Sequence, residues 1–332
     1  MNVNENLARL SDLSFGTAIT VYILAMVLLL SALASQRQRK LAVADARQAE
    51  LVGAAVGGGP AAPPVDDRTP GKLAAPERRS RGDQLAKMGY AVVIVGAIAH
   101  IASIVLRGLA THRAPWGNMY EFISISCAAA VVAGIVTLRK PQQRPLLSFL
   151  LVPVTLLMFI GGEFLYTQAA PVVPALKSYW LAIHVSIISL GSGIFMVSGV
   201  ASILYLIKLR VTDPPIDKFW GRILDRVPDA EALDRIAYKT VIIAFPLFGL
   251  GVICGAIWAE SAWGRFWGWD PKETVSFIAW VVYAAYLHAR ATAGWRNQSA
   301  AWINVAGFVA MLFNLFIINL VVSGLHSYAG LN

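Results

Sequence analysis

Several apolar runs in this chain reach the roughly 20 residues that a helix needs to cross a bilayer, and that feature restricts the fold more than any other. Long apolar stretches bounded by charge predict eight helices, near residues 15–34, 88–106, 120–138, 146–162, 180–207, 239–258, 273–289 and 302–322. The expected fold class is therefore all-α: a polytopic membrane protein with about eight transmembrane helices. Composition agrees, since 57% of the 332 residues are hydrophobic and only 14% are charged, which argues against a water-soluble globule. The net charge of +9 would suggest nucleic acid were the basic residues not confined to loops, mostly on one side. No nucleic-acid partner is expected; membrane lipid is.

Eight crossings put both termini on one side and sort the loops into two sets. One set carries 22 Lys and Arg residues and the other six, so the positive-inside rule makes the first cytoplasmic. The termini and the loops near 107–119, 163–179 and 259–272 then face outward, and the expected location is the plasma membrane. The first apolar run lacks a charged start and ends in Ser-Gln-Arg-Gln-Arg-Lys, so it reads as a retained helix rather than a cleaved signal.

The chain divides into an N-terminal transmembrane helix (1–40), a cytoplasmic linker (41–87) and a seven-helix membrane domain (88–332) whose outer loop spans 258–273. From about 41 to 80 the linker has too few large apolar residues to offset the entropy of folding and is expected to be disordered. The stretch from about 208 to 238 mixes both charge signs with Trp220, Ile223, Leu224 and Leu233, the pattern of a short amphipathic helix on the membrane surface. Cys127 and Cys254 fall in different apolar runs and read as small buried hydrophobes.

An ionisable or metal-ligating side chain is costly in a bilayer, so the depth of each of the five histidines is informative. Counting back from Ile207 fills the hydrocarbon core with about 20 residues and leaves His184 about a turn beyond its outer edge. His326 follows the last run by a similar distance on the same side. His288 lies roughly 22 Å below the outer start of its helix, near the cytoplasmic edge, and His100 about 10 Å below Arg107. The plain account of His100 and His112 is an imidazole bonded to a neighbouring helix or held at the interface.

Four of the ten tryptophans, Trp258, Trp263, Trp267 and Trp269, crowd into one outward loop. An interfacial aromatic belt would scatter them over many helix ends. Here Gly264 and Gly268 permit close backbone approach and the indoles offer large apolar faces, which suits a flat hydrophobic cofactor. Asp270-Pro271-Lys272-Glu273 has the N-cap, N1 and N3 pattern of a capping box, and Asn118 and Glu121 repeat the N-cap and N3 spacing. A tryptophan loop flanked by outer histidines on separate segments has the ingredients of a bis-histidine haem site.

Trp263-Gly-Arg-Phe-Trp-Gly-Trp-Asp-Pro-Lys-Glu273 resembles the WWD signature of haem-handling proteins, and from about 88 to 328 the chain is most similar to the CcsA/ResC type of cytochrome c maturation protein, called CcsB in some bacteria. Supporting segments are Ser178–Val185, Pro115–Glu121, Tyr286–Arg290 and Gly324–Tyr328. The resemblance implies that His184 and His326 are external axial ligands of haem b and that His288 belongs to an inner haem station. It implies a component of a System II cytochrome c synthase, which carries haem outward and presents its vinyl groups to the Cys-x-x-Cys-His thiols of apocytochrome c. The implied partners are a ResB-type membrane protein and an extracytoplasmic thiol-reducing protein.

Thiol addition to a vinyl group needs proximity and the correct face more than a strong base, so no catalytic residue is assigned. Trp263, Trp267 and Trp269 are the expected holding residues, and Gly264, Gly268 and Asp270 are expected to bind the cofactor with them. Arg265 and Lys272 are candidates for pairing with haem propionates; interfacial solvation is their alternative. Two other classes compete. An electron-transfer subunit of cytochrome b type would bury its haem ligands at matched depths, unlike these. A haem exporter without attachment chemistry would use the same inner and outer stations.

Overall fold

The computed structural model describes residues 3–56, 81–171, 177–212 and 227–326, with 36–56 and 211–212 described by backbone alone. Eight α-helices account for nearly all of it: α1 (Glu5–Val56), α2 (Arg81–Thr111), α3 (Met119–Thr137), α4 (Leu147–Glu163), α5 (Tyr179–Thr212), α6 (Ala230–Trp263), α7 (Pro271–Ala291) and α8 (Gln298–Leu320). A single 3-10 turn, Arg144–Leu146, leads into α4, and no strand occurs among the described residues. Among the described residues, seven helices are long and apolar enough to cross a membrane. The eighth, α7, is 21 residues long and is diluted by Lys272, Glu273, Tyr283, Tyr286, His288 and Arg290. The chain is a polytopic all-α membrane protein, as the apolar runs predict.

α1 runs on to Val56, so residues 41–56, expected to be disordered, are helical, and α2 begins at Arg81; residues 57–80 of the expected linker lie outside the described residues. Most of the amphipathic stretch near 208–238, residues 213–226, also lies outside them.

The surface is apolar where lipid would lie: Leu13, Leu24, Ile98, Val136, Leu156, Ile253 and Val309 are all more than half exposed. Inside, α5 takes the middle position and packs on α3, α6 and α8, while α1 lies along α2. Some polar side chains at the interior helix contacts find partners on facing helices. Asn304 of α8 donates through Nδ2 to Ser198 Oγ at 2.8 Å and Ser202 Oγ at 2.7 Å on α5.

Two ends can be told apart by their bonds. At one end the amide of Asn4 donates to Ala110 O, Trp116 Nε1 donates to Ala182 O at 2.9 Å, and Leu325 N–H donates to Asp270. The chain start, the 112–118 loop, the start of α5, the 264–270 loop and the segment after α8 therefore meet there. At the other end Arg290 pairs with Asp234 at 2.7 Å and Arg144 lies over the Tyr90 ring.

A buried ionic cluster locks the first end. Arg107, only 2% exposed, donates from Nε to Glu121 Oε1 at 3.0 Å and reaches Asp12 of α1 at 3.5 Å and the Thr167 carbonyl. Arg113 adds two bonds to the same carboxylate, at 2.8 and 3.1 Å, and the Gly117 amide a third at 2.7 Å. Asn118 caps α3 as expected, its Oδ1 accepting from Glu121 N–H, but the Glu121 carboxylate serves the arginines and not the cap. His100 is fully buried, bonded to Tyr22 through Nδ1 and to Ser124 through Nε2, which is the plain account of it. His112 is exposed.

Removing one partner of a buried ion pair leaves an uncompensated charge, at a cost of about 3–5 kcal/mol. Glu121→Gln should lower stability by that order in micelle denaturation, whereas Glu231→Gln, which breaks the exposed pair with Arg235, should leave the midpoint in place.

Candidate functional site

α6 ends at Trp263 because Gly264 adopts a left-handed conformation (φ 70°) and its amide returns to Glu260 O at 2.8 Å. The following loop is tied down by the capping box that opens α7. Asp270 is the N-cap, Pro271 occupies N1, and Glu273 Oε2 accepts from the Asp270 amide at 3.1 Å and the Gly268 amide at 2.9 Å. Arg265 donates to the same carboxylate at 3.3 Å. Held at both ends, Trp269 sits at φ 57°, a left-handed conformation that costs a bulky side chain on the order of 1 kcal/mol. Thr274 Oγ1 fixes its carbonyl with a 3.2 Å bond.

His184 lies on α5 where it crosses α6. Its Nδ1–H donates to the Gly251 carbonyl at 2.7 Å. That approach needs Gly255, since a Cβ there would stand 2.7 Å from His184 Cε1. His326 follows α8, and its Nδ1–H donates to Asp270 Oδ2 at 2.8 Å. The other carboxylate oxygen accepts from the Leu325 amide at 2.8 Å. With the proton of each ring on Nδ1, the basic nitrogen of each is Nε2, the arrangement that prepares a histidine to ligate a metal. Burial alone would raise the Asp270 carboxyl, but the bonds from His326 and from the Leu325 and Lys272 amides hold it at about 2. Burial pushes the His326 imidazole below its ordinary value even though Asp270 opposes that shift, which favours the neutral ring.

The two imidazoles border one cavity. Trp258, Trp263, Phe266 and Trp267 form its wall on the loop side, and Phe248, Met311 and Leu315 lie deeper. His184 and Trp258 run nearly parallel, 12° apart with centroids at 6.1 Å, and the two indoles Trp258 and Trp263 meet the His326 ring edge-on at 6.0 and 5.1 Å. A second cavity, lined also by Trp116 and Met119, shares Phe122, His184, Trp258, Lys272 and His326 with the first.

Of the residues singled out in the sequence, His184, His326, Trp263 and Trp267 come together on the cavity. Gly264, Arg265, Gly268, Trp269 and Asp270 are not on its lining; they build the loop around it, and Trp269 is 66% exposed against Trp267 and Phe277. His288 is remote from it, on an exposed face near the far end of α7. Trp258 is 1% exposed and Phe122 joins the wall from α3; neither was chosen from sequence. Trp258 falls in the tryptophan cluster and was legible as such, whereas nothing in the sequence marks Phe122.

Residues 116–326 match the family described as Cytochrome C assembly protein. The cytochrome c biogenesis protein CcsA of Gloeobacter violaceus is 32% identical over 298 residues, with 75% of this chain and 88% of that protein covered. CcsA of Guillardia theta is 32% identical over 261 residues (74% and 86% covered), and CcsA of Prochlorococcus marinus strain MIT 9303 is 33% identical over 266 residues (71% and 83%). A solved structure described as Cytochrome c Heme Lyase CcmF shares the fold, with a TM-score of 0.59 at 17% identity over 95% of this chain and 47% of that one. The chain thus spans about half the length of that neighbour.

Hydrogen bonds to an ionised group contribute roughly 1.5–3 kcal/mol, so Asp270→Ala should speed hydrogen exchange at the Leu325 amide by about 10- to 100-fold and leave the Gly251–His184 contact intact. The depressed carboxyl sets the pH sense. The stabilisation by Asp270 is full above its ordinary value of 3.8 and is lost as the pH falls toward 2, so Asp270→Ala and the parent should converge in midpoint on acidification.

Proposed function

Since the chain belongs to the cytochrome c assembly protein family, we propose that it binds haem as a substrate, delivers it to the outer face of the plasma membrane and presents it for thioether attachment to apocytochrome c. The observation that carries this reading is the meeting of His184 and His326 on one aromatic cavity, each with Nδ1 engaged and Nε2 basic. His184 and His326 would hold the iron through Nε2 at two coordination positions, and Trp258, Trp263 and Trp267 would pack the macrocycle. Occupying both positions limits oxygen chemistry at the iron.

Attachment balances without an oxidant. The apocytochrome S–H adds across each vinyl C=C, sulfur bonding to one carbon and hydrogen to the other, and no leaving group departs. What the protein supplies is proximity: a rigid porphyrin edge held beside a bound peptide makes the encounter local. The peptide's own histidine then replaces one protein imidazole and releases the product. An extracytoplasmic thiol-reducing protein keeps the two peptide cysteines reduced.

His288 serves an inner station in this scheme. Its exposure on α7 supports a ligand shared with another chain, and a ResB-type membrane protein is the partner that supplies the second imidazole. Both termini are extracytoplasmic, in line with the 22 basic residues that fall in the opposite set of loops.

His184→Ala and His326→Ala should each abolish the bis-histidine spectrum of the purified protein, with partial recovery on adding imidazole. An unchanged spectrum in both variants would remove the assignment. Trp267→Ala should cut cytochrome c assembly while some haem stays bound through the inner station; normal assembly would count against a holding role. Coexpression with the partner and an apocytochrome separates attachment, which leaves haem covalently bound, from export alone, which leaves it free outside.

A further inference from the structure

The cavity is largely apolar apart from the imidazoles, the Glu273 carboxylate and a polar patch made by Lys272, Asn314, Ser126 and neighbouring hydroxyls. Lys272 sits at the start of α7 with its Nζ donating to the Asn314 carbonyl at 3.2 Å and lying 5.8 Å from the centre of the Phe122 ring. Among the described residues no carboxylate stands within ion-pair distance of that ammonium. The two acids beside it are engaged in building the loop: Asp270 with His326 and Leu325, Glu273 with Arg265 and two amides. A cation turned into an apolar cavity with a single neutral acceptor is under-compensated.

Two more polar atoms there have no partner among the described residues. Ser126 Oγ (4% exposed residue) and Asn314 Oδ1 (6%) are both buried, and both residues line the cavity. Asn314 Nδ2 donates to Ser276 Oγ at 2.8 Å. Exchanging the ends of that amide keeps the bond, because a hydroxyl donates as readily as it accepts, and turns the NH₂ toward the cavity. Lys272, Ser126 and Asn314, all on the cavity lining, then each carry a donor.

We infer that Lys272, with Ser126 and Asn314, forms a carboxylate subsite that takes a propionate of the porphyrin and fixes the orientation of the macrocycle in the cavity. The inference rests on the haem reading above and goes further by choosing between two basic residues. Arg265 is paired with Glu273 and lies off the cavity lining, so it is not the anchor. With Glu273 engaged by Arg265 and loop amides, Lys272 is the basic group left on a largely apolar wall, and that wall matches an amphiphilic anion, which haem is, better than a neutral planar ligand.

The test uses the full-length chain in micelles, titrated with ferric protoporphyrin IX and with its dimethyl ester and followed in the Soret band. The parent protein should prefer the diacid by about tenfold, the scale of one charge-assisted hydrogen bond. Lys272→Met should bind the ester as the parent does and lose the preference, and Lys272→Arg should keep it. A preference unchanged in Lys272→Met, or absent in the parent, overturns the subsite and leaves haem binding standing. Uptake of neither compound by the parent would overturn the haem reading and the subsite together. Without ligand, Lys272→Met should melt no lower than the parent, because it removes a buried amine that contacts no carboxylate among the described residues. A collapse of the ligand-free variant would assign Lys272 to the fold instead.

Discussion

Hydrocarbon offers no hydrogen bonds, and that constraint shapes every level of this molecule. It obliges the backbone to close its own bonds, which makes the spans helices. It also makes a partner valuable to any polar side chain between helices. The bond from His184 to the Gly251 carbonyl is such a pairing: α5 and α6 approach closely enough for an imidazole to reach a backbone oxygen, and a glycine one turn further along α6 leaves room for the ring. The rotamer and the tautomer of the histidine are both fixed by that contact before any ligand arrives.

Carboxylates do the corresponding work where helices end. Glu121 gathers Arg107, Arg113 and the Gly117 amide, and so joins α2 and α3 to the 112–118 loop. Glu273 gathers two loop amides and Arg265. Asp270 caps α7 and also holds the segment after α8, with His326 on it. Each acid is partly or fully shielded and each has several donors, which is the condition under which a buried charge is tolerated. The result is a firm rim around a cavity whose interior is mostly apolar. Strain at Trp269 is sustained by the same bonds.

How far these features were legible varies with their range along the chain. The capping box at Asp270 and Glu273 was readable because both partners lie within four residues. The tryptophan cluster was readable because four indoles fall within a dozen positions. Asn118 was read as a cap, and is one, but the role of Glu121 was not, because its partners are an arginine 14 residues earlier and another in the loop. Arg107 was counted as a loop charge and is instead an interior cation that also reaches Asp12, 95 residues away. Lys272 and Arg265 were equivalent by sequence; only their surroundings separate them.

The sequence alone determined that the chain is a multi-span helical membrane protein, where the spans run and which loop concentrates the indoles, because those follow from apolar length and local composition. It also selected His184 and His326, since their distances from the ends of the apolar runs are arithmetic. Tertiary structure decided what those histidines do with their ring nitrogens, that Trp258 and Phe122 join the wall, and that the tryptophan loop divides into cavity-facing Trp263 and Trp267 and outward Trp269. Those outcomes depend on which helices touch and on the rotation of each about its axis. Both are set by packing between residues far apart in sequence, for which no local pattern carries a signal.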